Sequence, residues 1–202
     1  DNRIDKRTSG YKRRVEALQK APEVIPNMIK RALSHGIDAS YVLMDTWFTQ
    51  QPLIKSIVDQ GLDVMGMVKD TKQRYQVNGE WVSLKKLYQT AKPSQHQKGI
   101  LRSIHTTMAN GVPVKVVFVR NRNKKRQWLA ILSTDCTLSD QEIIRIYGIR
   151  WDIEVFFKTV KSLLKLQKEF QGRSYDSMIS HTTIVFTRYI VLSWQNRVST
   201  DY

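Results

Sequence analysis

The stretch Tyr41-Val42-Leu43-Met44-Asp45-Thr46-Trp47-Phe48-Thr49 decides the fold class. Its apolar run, bounded by polar residues, has the pattern of a strand buried on both faces, and it ends at Asp45, which puts a carboxylate at a strand's carboxyl end. Upstream, Val24, Ile25, Met28, Ile29 and Leu33 recur at helical spacing, and Gly36 supplies a stop. Downstream, Thr49 is placed to cap a helix reaching about Gln60, with Pro52 in its first turn and Gly61 closing it. A second buried strand follows at residues 64–68. Helix, strand, helix, strand predicts an α/β unit with a parallel sheet.

Residues 69–137 have a different texture. Short β-like runs at residues 75–82, 114–120 and 128–132 are separated by Asn78-Gly79, Asn110-Gly111 and Asn121-Arg122-Asn123, which reads as a β-rich insertion. Within it Arg120, Arg122, Lys124, Lys125 and Arg126 form a basic hairpin tip beside Trp128, either a DNA contact or a solvated turn. The opening residues 1–14 carry Arg3, Lys6, Arg7, Lys12, Arg13 and Arg14 around Thr8-Ser9-Gly10, a composition that favours a loop.

Across 202 residues, 33 Lys and Arg face 18 Asp and Glu, a formal charge of +15 that calls for a polyanionic partner, nucleic acid ahead of an anionic membrane or an acidic protein. A content of 41% hydrophobic and 25% charged residues fits a soluble globular domain. The most apolar stretch, residues 182–194, is too short to span a bilayer and contains Arg188; it reads as a core helix of a cytoplasmic protein without a signal peptide. The single Cys136 excludes an internal disulfide framework, and His35, His96, His105 and His181 are too scattered for a zinc signature.

Ser139 and Glu142 form a capping box, and the pattern after them predicts one helix to about Leu166, weakened at Gly148. A last helix is expected over residues 174–196. At about 100° per residue, Tyr147, Arg150, Glu154 and Lys161 fall within an arc of roughly 60° on the long helix, with Lys158 and Lys165 near its edge. Ile149, Ile153, Phe156, Val160, Leu163 and Leu164 gather on a separate, buried arc. An acid among bases on a helix face is either a ladder of ordinary i,i+4 pairs or a metal ligand flanked by groups that grip phosphates.

Tyr147-x2-Arg150-x3-Glu154-x6-Lys161 resembles in full the Tyr-Arg-Glu-Lys signature of insertion-sequence transposases of the IS-four type. Ile144-Arg145-Ile146-Tyr147, Arg150-Trp151-Asp152-Ile153-Glu154-Val155-Phe156-Phe157, Leu43-Met44-Asp45-Thr46-Trp47-Phe48 and the basic opening residues look like the same family. The resemblance implies a ribonuclease H-like core with a β-rich insertion and C-terminal helices, and carboxylates in the order Asp, Asp, Glu. Asp45 matches the second and Glu154 the third. No residue matches the first, so the chain is expected to be a piece lacking the first strands, with an unpaired sheet edge. Asp135, in the return to the long helix, reads as a loop residue rather than a ligand.

The expected organisation is residues 1–68 as basic segment and part of the core, 69–137 as insertion, and 138–202 as the helical remainder. Asp45 and Glu154 would hold Mg2+ (or Mn2+) and serve catalysis, while Tyr147, Arg150, Lys158, Lys161, Arg122, Lys124 and Lys125 would bind DNA. The implied partners are element ends and target DNA, with a homodimer on paired ends and neither membrane nor small-molecule substrate. A DNA-binding remnant without catalysis, and a nuclease without strand transfer, are the alternatives. Trp47 and Trp151 flank the two acids and are either base-stacking platforms or core aromatics.

Overall fold

The computed structural model describes residues 4–94, 99–124, 126–168 and 172–200. In chain order they form α1 (Ser9–Glu16), α2 (Ala21–Ser34), β1 (Tyr41–Met44), α3 (Gln51–Val58), β2 (Asp63–Val68), β3 (Tyr75–Val77), β4 (Glu80–Val82), α4 (Leu84–Thr90), β5 (Lys92–Pro93), β6 (Ile100–Met108), β7 (Pro113–Arg120), β8 (Trp128–Ser133), α5 (Asp140–Gly148), α6 (Trp151–Ser162) and α7 (Tyr175–Thr200). The chain divides into two units, residues 15–149 and residues 1–14 with 150–202.

The first unit is an open mixed sheet. Among the described residues its strands run β1-β2-β8-β7-β6-β3-β4, with β5 beside β6. β1 and β2 are parallel, pairing Met44 with Gly66, and the strands of the β-rich stretch continue the sheet through the antiparallel pair β2–β8. At the β3–β4 hairpin Asn78 and Gly79 both take positive φ, 50° and 86°, as a two-residue turn matched to strand twist demands.

Period-two alternation sorts the strands' side chains between two faces. Val64, Val114, Val116, Phe118 and Leu132 face a core shared with Ile54 and Ile57 of α3 and Leu84 and Leu87 of α4, whereas Met65, Val117 and Ile131 face Ile143 and Tyr147 of α5. Lys115 lies on the α5 side. Its ammonium sits 2.8 Å from the Asp140 carboxylate, each side chain only 11% exposed, and donates to the Leu138 carbonyl at 2.8 Å. The capping box forms as expected: Ser139 accepts from the Glu142 amide, and Glu142 accepts from the Ser139 amide.

Several expectations need correction. β1 is not buried on both faces: only Met44 is buried, because β1 ends the strand order and pairs on one side alone among the described residues. The basic opening is partly helical. Thr8 Oγ1 accepts from the Tyr11 amide, and Arg14 pairs with Asp176 at 2.7 Å while lying over the Tyr175 ring, so contacts distant in sequence override a loop-like composition. α4 was not anticipated, being a short segment started by Ser83, whose side chain accepts from the Lys86 amide. Nor was β6, whose polar Arg102, Ser103, His105, Thr106 and Thr107 mask the apolar pattern.

The expected long helix is two helices. α5 stops at Gly148, and Ile149 and Arg150 keep right-handed dihedrals outside both helices. Glycine in a helix interior costs about 1 kcal/mol relative to alanine, and here the weak point marks the boundary between the two units.

In the second unit α6 packs on α7 through Val160, Leu164 and Val185, with Phe156 edge-on to Phe186 and Tyr189. Burial of the whole apolar arc does not occur. Ile149, Ile153 and Leu163 are exposed, and so are Ile184, Ile190, Val191, Leu192 and Trp194, which corrects the reading of residues 182–194 as a core helix. Two helices alone cover only the stripe where they meet. No helix among the described residues is long and apolar enough to cross a membrane.

Truncating one partner of a largely buried ion pair strands the other, at a cost of about 3–5 kcal/mol. Lys115→Ala is therefore expected to lower the denaturation free energy by about that much, whereas Lys115→Met with Asp140→Leu costs far less; equal losses for both, read by urea titration, would contradict the pairing.

Candidate functional site

Asp45 stands where the chain leaves the sheet at the carboxyl end of β1. Its Oδ1 accepts from the Trp47 amide at 2.9 Å, and its carbonyl accepts from the Thr49 hydroxyl at 2.6 Å. Thr49 is thereby taken from its expected role: the residue before α3 is Gln50, which makes no side-chain cap. The turn is pressed onto β2. Thr49 is only 4% exposed, and a Cβ at Gly66 would lie 2.7 Å from its Cγ2, so only glycine at 66 lets the turn dock this closely. Trp47, by contrast, is 80% exposed beside the carboxylate.

The carboxyl end of β2 lies beside that of β1, because the two strands are parallel. Between them a cleft of about 430 Å³ is lined by Thr46, Thr49, Gln50, Lys69, Thr71 and Lys72 among others. Sequence reasoning missed Lys69 and Lys72. The signal was present: the rule that parallel sheets bind ligands beyond their carboxyl ends applies to the strand ending at Val68 as well as to the one ending at Met44.

Asp135 occupies the opposite end of β1. Its carboxylate accepts from Thr137 at 2.6 Å and from the Tyr41 hydroxyl at 2.9 Å, and Tyr41 is the first residue of β1. At about 3.3 Å per residue, the strand separates it from Asp45 by more than 10 Å, too far for a shared cation. The Thr137 hydroxyl first, then backbone and Tyr41 donors, hold the Asp135 carboxyl below its ordinary pKa against the upward pull of burial.

In the other unit Glu154 sits in the first turn of α6, where the helix dipole favours a carboxylate. Its side chain is half-exposed and stands 3.5 Å from the Arg150 guanidinium, an i,i+4 pair worth a few tenths of a kcal/mol. Lys158 and Lys161 are exposed further along α6, the Lys161 ammonium lying 5.5 Å from the Phe157 ring centre. Tyr147 does not stand on this helix. It belongs to α5 and is buried with Met65, Val117, Ile131 and Ile143, so of the expected face only Glu154 and Lys161 share α6, with Lys158 also on that helix and Arg150 immediately before it. Trp151 is 65% exposed.

At the β7–β8 hairpin tip Arg122 and Lys124 are exposed, and Asn121 Oδ1 accepts from the amides of Asn123 and Lys124. Lys125 lies outside the described residues. Trp128 is packed inward, stacked on Tyr88 at 4.9 Å and edge-on to Phe118 at 5.1 Å. Among the described residues no group of three His, Cys, Asp or Glu side chains is set to hold a metal.

An open mixed sheet, with helices on both faces and an acid at the carboxyl end of its parallel pair, defines the protein as mixed α/β. Residues 17–187 match the family described as Transposase DDE domain, and the chain belongs to that family. Among solved structures it is similar to the piggyBac transposase in a cryo-EM synaptic complex with hairpin DNA, at 14% identity and a TM-score of 0.47, over 83% of this chain. The chain spans about a third (33%) of the length of that protein. Among curated proteins none matches.

The Gly66–Thr49 contact gives a direct test of the turn. Gly66→Ala is expected to cost about 1–3 kcal/mol, as overpacking does, and Thr49→Ala in the same chain is expected to recover part of the loss. Strictly additive costs in a double-mutant cycle would show that the two residues do not touch. For Asp135, a depressed carboxyl contributes stability that is complete above its unfolded pKa and is lost as pH falls through the lower folded value. Asp135→Asn should therefore flatten the acid limb of the stability profile; an unchanged limb in pH-dependent thermal melts would count against the hydrogen bonds described.

Proposed function

We propose that the chain is part of the catalytic domain of a DNA transposase of the insertion-sequence IS-four type, with a ribonuclease H-like core. It would cleave element ends and join them to target DNA, using Asp45 and Glu154 as ligands of Mg2+ (or Mn2+). The observation that carries this reading is the placement of Asp45: a carboxylate at the end of a parallel strand, with Oδ1 fixed by the Trp47 amide, within the residues that match the transposase family. Hard divalent cations take oxygen ligands, and both acids supply them. When bound, such a cation lowers the pKa of an attacking water and offsets charge on the departing oxygen.

The chain's own groups do the remaining work. The Trp47 amide orients the Asp45 carboxylate, while Arg150 just before α6, Lys158 and Lys161 on it, Arg122 and Lys124 at the hairpin, and Lys125, which lies outside the described residues, hold phosphates by charge. Residues 1–68 and 138–202 would then form the core and 69–137 the insertion, acting as a homodimer on paired ends in the cytoplasm. The 3.5 Å Arg150–Glu154 pair favours a second reading, in which Glu154 is only a member of a surface ion pair and the chain is a DNA-binding remnant.

The two readings separate on metal chemistry. With Fe2+ in place of Mg2+, ascorbate and peroxide are expected to cut the polypeptide beside both Asp45 and Glu154, and Glu154→Gln is expected to remove the cuts while leaving DNA binding intact. In a chain competent for cleavage the product should carry a free 3′-hydroxyl and no protein adduct. Metal-independent DNA binding without such cuts, unaffected by Glu154→Gln, would support the remnant, and a phosphotyrosyl link would overturn the hydrolytic scheme.

A further inference from the structure

Strand directions bring three separate segments to one edge of the sheet. β1 and β2 are parallel, so the residues after each leave at the same end. β8 is antiparallel to β2, with Ala130 opposite Val68, and β7 is antiparallel to β8, with Arg120 opposite Trp128. The β7–β8 hairpin tip therefore stands at the edge where Asp45 stands. With neighbouring strands about 4.8 Å apart, the distance across β1, β2, β8 and β7 is on the order of 14 Å.

Along this edge run two clefts with a common wall. The first, of about 430 Å³, lies between the Asp45–Gln50 turn and the residues after β2. The second, of about 330 Å³, lies between the end of β2 and the hairpin, lined by Lys69, Asp70, Arg126, Gln127 and Trp128 among others. Lys69 lines both. Lys69, Lys72 and Arg126 are exposed, and among the described residues none of them is held in an ion pair. The first cleft adds the hydroxyls of Thr46 and Thr71 and the side-chain amides of Gln50 and Gln73.

Uncommitted cations interleaved with hydroxyl and amide donors are what phosphate oxygens require, and Asp70 leaves the three-cation group net positive. Trp128, the one aromatic ring among the lining residues, is committed to its stack on Tyr88, so the two clefts offer contacts for a backbone rather than a platform for a base.

We infer that Lys69, Lys72 and Arg126 form a phosphate track that holds the backbone of one DNA strand along the sheet edge leading to Asp45. The track rests on the transposase reading and deepens it: these residues would position the strand, without contacting the reacting atoms and without selecting its sequence. Lys69, shared by both clefts, is the link between the phosphate nearest Asp45 and those passing the hairpin.

The test is the salt dependence of DNA binding by the whole chain, followed by fluorescence anisotropy with a labelled 20-base-pair duplex. Each lost duplex phosphate contact lowers the slope of log K against log salt by about 0.9. Lys69→Gln with Lys72→Gln is expected to lower the slope by about 1.8, Arg126→Gln by about 0.9, and Lys69→Arg to leave it unchanged. Lys30→Gln with Lys85→Gln, which removes equal charge from α2 and α4 outside both clefts, is expected to leave the slope within about 0.3 of the parent, a third of one contact. Far-ultraviolet circular dichroism of each variant confirms that exposed substitutions leave the fold intact.

If the parent binds DNA and the Lys69/Lys72 pair leaves the slope unchanged, the track is wrong and the transposase reading stands. An equal loss in the control pair likewise overturns the track, since net charge alone then explains binding. If the parent shows no salt-dependent DNA binding, both readings fall. Displacement of the duplex by micromolar nucleoside triphosphate would assign the clefts to a free phosphate ligand and overturn the DNA track.

Discussion

The hydrogen bonding of β2 along both edges is the constraint on which the sheet unit depends. One edge pairs in parallel with β1 and the other antiparallel with β8. A parallel pair sends both carboxyl ends the same way, and an antiparallel neighbour returns its amino end to them. Strand direction therefore brings the Asp45 turn, the Lys69–Lys72 segment and the β7–β8 tip to one edge. The opposite edge receives what remains, including Asp135 and its partners Tyr41 and Thr137.

Charge is distributed over this frame by burial. Lys115 and Asp140 are largely withdrawn from water and satisfy one another, with the Leu138 carbonyl as a further acceptor, so they fix the start of α5 rather than bind a ligand. Lys69, Lys72 and Arg126 at the sheet edge are exposed and, among the described residues, outside every ion pair, the state in which a phosphate can recruit them. Between these regimes stands Asp45, half-buried and oriented by a backbone amide, on a turn whose approach to the sheet is permitted by the absence of a side chain at Gly66.

The helical unit follows different rules. α6, with Leu164 just after it, meets α7 along Phe156, Val160, Val185, Phe186 and Tyr189, while Ile153, Ile184, Ile190, Val191, Leu192 and Trp194 are exposed. Glu154 and its basic neighbours are presented on α6 by helical spacing alone, since exposed i,i+4 pairs have too little energy to impose a geometry.

Much of the frame was legible in the sequence, where local patterns are strong. Tyr41–Met44 was read with its ends correct, because an apolar run between polar residues has few other solutions, and the Ser139–Glu142 box and the Asn78–Gly79 turn were legible because their chemistry is satisfied within a few residues. Spacing alone likewise put Glu154, Lys158 and Lys161 on one helix, with Arg150 just before it. What required the tertiary structure was everything set by contacts remote in sequence. The α1 helix gains its partners from residues 175 and 176, Thr49 gives up capping α3 to close the Asp45 turn, and Tyr147 is drawn into the core beneath the sheet. Lys69, Lys72 and Arg126 become neighbours of Asp45 for the same reason: strand direction and register, which arise from pairing between distant segments, decide which loops share an edge, and no periodicity within a single segment encodes that choice.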